Sequence, residues 1–235
     1  MVSKKFMQYA WLTWSLLLLI IWVMVYISLK DKISKKEMLT VSLWTSLLGI
    51  TEPFFVPEYW SPPSLFNLAI NTGFDIESFL FAFGVGGIAV VLYERIFKVH
   101  HKRISSKERH SPRHKYHIFA LLSAPVIFFV LFIFTNINPI YSTFIAFIGG
   151  GLLTWYCRPD LKIKMLASGV VFSVFYFVYF LTLNTAFPGY VTQVWNLSAI
   201  SGVLIIGVPL EEIMFAFGFG FLWSSLYEHI LWYKI

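Results

Sequence analysis

Charge is scarce in this 235-residue chain: Asp, Glu, Lys and Arg make up 13% of it, against 58% apolar and 20% aromatic residues. A water-soluble domain of this size does not bury so much apolar side chain, so the composition points to a polytopic membrane protein. A single cysteine, Cys157, excludes an internal disulfide. No glycine-rich phosphate loop follows a strand. Gly84-Val85-Gly86-Gly87 lies inside an apolar run and reads as helix packing. Aspartate-rich metal clusters are missing, which argues against diphosphate chemistry. No lysine falls inside the expected apolar spans, where a retinal Schiff base would need one. The net charge of +6 sits in the links between spans, so it speaks for topology and against nucleic acid.

What is present is a succession of apolar runs. Seven spans are expected: Met7 to Leu29, Met38 to about Val56, Asp75 to Phe97, Ile118 to Thr135, Ile140 to Cys157, Met165 to Leu183, and a last one from Pro209 to near Trp232. The first is too long for a signal-peptide core and lacks a small-residue cleavage site, so it reads as a retained helix. The links after spans one, three and five, with the C-terminal tail, hold 16 of the 18 Lys and Arg residues when Arg95, at the end of span three, is counted with the link it adjoins; those after spans two, four and six hold none. Only Lys4 and Lys5 oppose the pattern. The positive-inside rule then puts the N-terminus outside and the C-terminus in the cytoplasm.

Two stretches are copies. DIESFLFAFGVGGIAVVLYERI (residues 75–96) and PLEEIMFAFGFGFLWSSLYEHI (residues 209–230) align without a gap at an offset of 134, with 10 identities in 22 positions. The expected fold is therefore an all-α transmembrane seven-helix bundle. Residues 1–97 form a first three-span repeat, 98–139 a basic loop with connector span four, and 140–235 a second repeat. Corresponding spans are four apart, so the repeats run parallel about an axis along the membrane normal.

The parallel copies put Glu77 and Glu211 at one depth near the outer boundary, facing each other. Glu94 and Glu228 lie 17 residues further on, about 25 Å deeper at 1.5 Å per residue, where interfacial anchoring is expected. Intramembrane carboxyl groups are costly and usually face an interior. Phe81 follows Glu77 by one turn, and Phe215 follows Glu211, so each pair shares a helix face. The adjacent Glu211 and Glu212 do not readily ionise together in a dry site. A protonated acid beside a carboxylate base can give a proton to an apolar substrate and later remove one, with aromatic faces stabilising the cation between. Each of these carboxyls also fits a structural role, Asp75 as a helix N-cap above all. Glu52 beside Pro53 fits either the site or the interface.

Pro209-Leu210-Glu211-Glu212, preceded by Phe187-Pro188-Gly189-Tyr190-Val191 and Trp195-Asn196, resembles the second half of the integral-membrane lycopene cyclases. These are heterodimeric in bacteria, fused in archaea and joined to phytoene synthase in fungi. EPFFVPEYWSPPSLFN with FDIESFLFAFGVGGIA is similar to their first half. The resemblance spans about Leu39 to Tyr233. It implies a lycopene β-cyclase-like isomerase or intramolecular lyase that closes the ψ-end groups of a linear carotenoid into ionone rings, without a cofactor or metal. It implies Glu77, Glu211, Glu212 and Asp75 as catalytic candidates. Glu52, Phe81, Phe215, Trp60, Tyr190, Trp195 and Asn184 are the corresponding substrate-binding candidates. Partners implied are the carotenoid, the lipid bilayer and other carotenoid-pathway enzymes. One departure is Asp75-Ile76-Glu77-Ser78 where the second copy has PLEE. Relatives that hydrate an end group or cyclise C50 carotenoids, a proton-coupled transporter and a non-catalytic scaffold are the alternatives.

The link Lys98 to His117 holds five histidines. His110, His114 and His117 share a face if helical, yet no cysteine or carboxylate completes the set, and a solvated basic loop touching anionic headgroups is the expected reading.

Overall fold

A computed structural model describes residues 7–235; Lys4 and Lys5 lie outside the described residues. The chain is almost wholly helical. The bundle is built from α1 (Ala10–Ser28), α2 (Lys32–Ser46), α3 (Ile76–Phe97), α4 (His117–Phe134), α5 (Pro139–Cys157), α6 (Lys162–Ala186), α7 (Leu210–Trp223) and α8 (Leu226–Leu231). Local chemistry sets the starts. Asp31 and Asp75 accept the Ser34 and Ser78 backbone N–H groups at 2.9 and 2.5 Å, and Asn138 caps α5 ahead of Pro139.

Among the described residues, five helices, α1, α3, α4, α5 and α6, are long and apolar enough to cross a membrane. Their outer faces are apolar as well: Ile20, Met24 and Ile27 on α1, Ile118, Phe119 and Ile133 on α4, and Val170, Val174 and Val178 on α6 are all exposed. The second and seventh expected spans are interrupted. α2 passes into a 3-10 segment, Leu47–Phe54, that contains Gly49 and Pro53. α7 stops at Trp223, and the chain turns through Ser224-Ser225 into α8. α6 starts earlier than expected and takes in Lys164, whose charge is paired inside the fold.

The helices pack in two matching sets. α3 lies against α2 and α1, and α7 lies against α6 and α5. Close approach in the second set depends on Gly220: a Cβ there would stand 2.7 Å from the Ser168 carbonyl and 2.8 Å from the Phe172 Cβ. Gly220→Val should lower stability by about 1–3 kcal/mol, since the obstacle is backbone. Gly149→Ala, which meets only the flexible end of Ile127, should change little. Thermal unfolding of both variants in detergent checks the contrast.

Strand structure is minor. Leu204–Ile205 (β2) pairs antiparallel with Val208–Pro209 (β3) just before α7. Lys102–Arg103 (β1) in the basic link pairs with Tyr233–Lys234 (β4) at the C-terminus. A single bridge joins Trp60 to Trp195, with Ser61 N–H on the Val194 carbonyl and Asn196 N–H on the Tyr59 carbonyl, each at 2.8 Å. Tyr59 and Trp195 are buried. Their polar groups are satisfied by each other's segments and by Glu212.

Candidate functional site

A cavity of about 370 Å³ opens between the two helix sets, and every helix from α1 to α7 except α2's first turns contributes to its wall. That volume lies in the range of small-molecule sites. The lining is largely aromatic. Trp11 and Trp14 come from α1, Phe81 from α3, Phe128 and Phe129 from α4, Phe147 from α5, Tyr176 from α6, and Phe215, Phe219 and Trp223 from α7. Trp11 and Trp14 pack on Phe81 with ring centroids 5.0 and 5.6 Å apart, and Phe215 stacks on Phe219 at 5.5 Å.

Two carboxyl groups enter this apolar space, Glu52 from the 3-10 segment and Glu212 from the first turn of α7. Both are buried. Glu212 accepts three hydrogen bonds, from the Tyr59 hydroxyl at 2.5 Å and the Trp195 indole N–H at 2.8 Å on Oε1, and from the Tyr176 hydroxyl at 2.7 Å on Oε2. Burial, with Glu212 alongside, holds the Tyr59 phenol well above its ordinary pKa, so it stays a donor. Glu52 is held differently. Its Oε2 accepts the Ser78 hydroxyl at 3.0 Å, while Oε1 is buried with no partner.

The face that meets the cavity begins one residue later than expected. Ser78, Phe81, Ala82 and Val85 line it from α3, and Glu212, Phe215, Phe219 and Trp223 from α7, the spacing of one helical stripe. Glu77 and Glu211 are rotated off that stripe, toward the loops that precede their helices. Glu77 accepts the Leu65 N–H at 2.7 Å; Glu211 accepts the Ser201 N–H at 2.9 Å and the Tyr141 hydroxyl at 2.7 Å. The two copies thus make the same kind of bond, each fixing a loop onto a helix start. Asp75 caps α3 and does not line the cavity.

Trp60 and Trp195 do line it, with ring centroids 5.3 Å apart. Tyr190 is buried behind Trp195, its hydroxyl unpartnered, and Asn184 lies away from the cavity with its amide toward the Ile206 carbonyl at 3.5 Å. Tyr59, Tyr176, Ser78, Trp11 and Trp14 were not among the sequence candidates. A tyrosine in the middle of an apolar run, as Tyr176 is, was the available signal.

A second polar centre lies at the other end of the bundle. Glu94 and Glu228 are not interfacial anchors but buried, as are Glu37 and Lys164. The Lys164 ammonium pairs with Glu94, with Glu228 at 2.5 Å and with Glu37 at 3.4 Å. His101, out of the basic link, reaches Glu228 at 2.9 Å and Glu37 at 3.0 Å. Burial alone would lower the His101 pKa, but its bonds to Glu228 and Glu37 win and hold it up at about 10. A buried lysine and histidine among three carboxylates explain why these glutamates leave the surface.

Fold and cavity together define a class: an almost wholly helical protein, with helices long and apolar enough to cross a membrane, around an aromatic chamber addressed by two buried carboxyl groups. Residues 138–230, from α5 to α8, match the model of the family described as lycopene cyclase, so this part of the chain is similar to that family. The match supports an enzyme of carotenoid cyclisation, one that acts on a linear carotenoid. Searches of curated proteins and of solved structures returned no match.

Proposed function

We propose that the chain is a multi-pass membrane cyclase that turns the ψ-end of lycopene or a related linear carotenoid into an ionone ring by proton-initiated chemistry. The observation that carries this is the pairing of Glu52 and Glu212 in one aromatic cavity. Glu52, whose Oε1 has no hydrogen-bond partner, is the acid: it gives its proton to the terminal double bond. The resulting tertiary cation is attacked by the neighbouring double bond, closing the six-membered ring. Glu212, held by three donors and therefore used as an acceptor, removes a proton from the ring cation. One proton enters and one leaves, so the reaction is an isomerisation that calls for no redox cofactor.

Between the two transfers the charge rests against Trp11, Trp14, Phe81 and Phe215, whose ring faces attract a cation. Apolar walls keep out water that would quench it to an alcohol. Glu77, Glu211 and Asp75 act one step back, by fixing the helix starts from which Ser78 and Glu212 project. Trp60 and Trp195 close the cavity and Trp195 orients Glu212, while Tyr190 and Asn184 support that loop. Substrate enters sideways from lipid between α4 and the 3-10 segment. Pro125 and Phe129 of α4 belong both to the cavity and to an apolar groove on the outer face of that helix.

The seven-span reading with two parallel repeats fits this site. α2–α3 and α6–α7 are equivalent pairs, α1–α3 and α5–α7 are another, and each repeat places its cavity stripe at the same helix level. The charge distribution orients the N-terminus outside and the polar Lys164 centre toward the cytoplasm.

Expression in a lycopene-accumulating bacterium, with pigments separated by chromatography, tests the proposal. Conversion of lycopene to a cyclic product of equal mass is expected. Unchanged lycopene, with the protein present in the membrane, would overturn it. Glu52→Gln should reduce conversion about 10²–10⁴-fold, the usual contribution of a general acid. Glu211→Gln should retain most of it, because Glu211 bonds the Ser201 N–H and the Tyr141 hydroxyl outside the cavity; equal losses in the two would return Glu211 to the chemistry.

A further inference from the structure

Three donors from distant parts of the chain meet at the Lys- and Arg-rich end of the bundle. His117 opens α4, Cys157 closes α5, and His229 lies in α8. One donor atom of each lies within 4.8 Å of the others. The Cys157 Sγ is 3.9 Å from the His117 Nδ1, and the two imidazole rings meet edge-on with centroids 4.4 Å apart. Trp232 stacks on His117 at 4.2 Å and holds that ring in place.

His229 is the decisive member. It is fully buried, and neither of its ring nitrogens has a hydrogen-bond partner. A buried imidazole normally satisfies at least its N–H. Cys157 is equally buried. We propose that His117, Cys157 and His229 form a site for a zinc-like transition-metal ion, which braces the connector helix α4 against α5 and α8. Two imidazole nitrogens and one thiolate suit Zn(II), which takes four ligands in a tetrahedron and leaves here one position for water. Binding removes the Cys157 proton, and the ion takes the place of the missing partners of His229.

The nearby Arg158 does not oppose a cation at this place. Its guanidinium is occupied by Asp160 at 2.9 and 2.7 Å and by the Glu228 carbonyl at 3.0 Å, so its charge is matched. The Glu37, Glu94, His101 and Glu228 group has ligand atoms as close together, but there the Lys164 ammonium already fills the cation's role.

The test uses the full chain in detergent, carrying an affinity tag free of histidine. After equilibration with Zn(II) and gel filtration, wild type should hold one zinc per chain, and Cys157→Ser and His229→Gln close to none. The double variant His110→Gln, His114→Gln, in the exposed link, should keep one. Zinc retained by Cys157→Ser and His229→Gln, or lost only with the link histidines, would mean adventitious loop binding and overturn the site. Should the two site variants fail to fold, Co(II) added to wild type decides the matter. A thiolate-to-cobalt charge-transfer band with tetrahedral visible bands is expected, because Cys157 is the sole cysteine. Its absence would overturn the site as well.

Discussion

Glu212→Gln should leave lycopene uncyclised, with conversion down about 10²–10⁴-fold, while the protein still reaches the membrane. The substitution keeps the size and shape of the side chain and keeps an acceptor for one or two of its donors, the Tyr59 and Tyr176 hydroxyls and the Trp195 indole. What it removes is a group able to take a proton from the ring cation. Without that step the cation either reverts or is lost to water. Chromatography therefore distinguishes two losses: unchanged lycopene for a failed base, hydroxylated product for a cavity that now admits water. Tyrosine replacement is milder. Tyr176→Phe leaves two donors and should cost far less than the loss of the carboxylate. Conversion by Glu212→Gln within a few-fold of wild type would remove Glu212 from the chemistry.

The largest expected effect on stability is at the opposite end. Lys164→Met removes the one ammonium among Glu37, Glu94 and Glu228, all buried. Breaking a buried ion pair by deleting one partner typically costs about 3–5 kcal/mol, because an unmatched charge stays behind. A loss of that order should show as a much lower yield of monodisperse protein and an earlier thermal transition. Adding Glu228→Gln should restore part of it, since the two changes share one network and do not add. His101 gives this cluster a pH signature. Its pKa rises on folding from an ordinary value near 6.5 to about 10, so its contribution is complete below the ordinary value. It is lost as pH rises through the upper one, and alkaline conditions should therefore weaken this end.

Much of the architecture was legible because membrane-crossing helices announce themselves by length and apolarity, which need no knowledge of what they touch. The two copied stretches were legible too, and they fall on α3 and α7, each of which packs against two other helices. What the pattern did not carry was phase. α3 and α7 are apolar on nearly every side, so no stripe in the sequence marks the inward face. Glu77 and Ser78, or Glu211 and Glu212, differ by only 100° of rotation. Phe81, Phe215, Trp60 and Trp195 sit on the wall whichever neighbour is chosen, whereas the carboxyl that shares it depends on that rotation. Glu37, Glu94, His101, Lys164 and Glu228 come from segments far apart in the chain, so no local spacing foretells their meeting. The same holds for Cys157 and His229 beside His117: the sequence shows no donor next to the histidines, because the helices bring them there.

The backbone bridge between Trp60 and Trp195 has a bearing on how a long substrate is handled. It ties the two halves together at the chamber wall, so that, on the proposed function, the chamber is a blind alley with its door on the side. A rod with two reactive ends can offer only one of them at a time. To have both ends closed, the molecule must back out into the bilayer, reverse and return, and the half-finished product is a free lipid-borne species. On the proposed function, the bridge would thus turn a symmetrical substrate into two separate encounters.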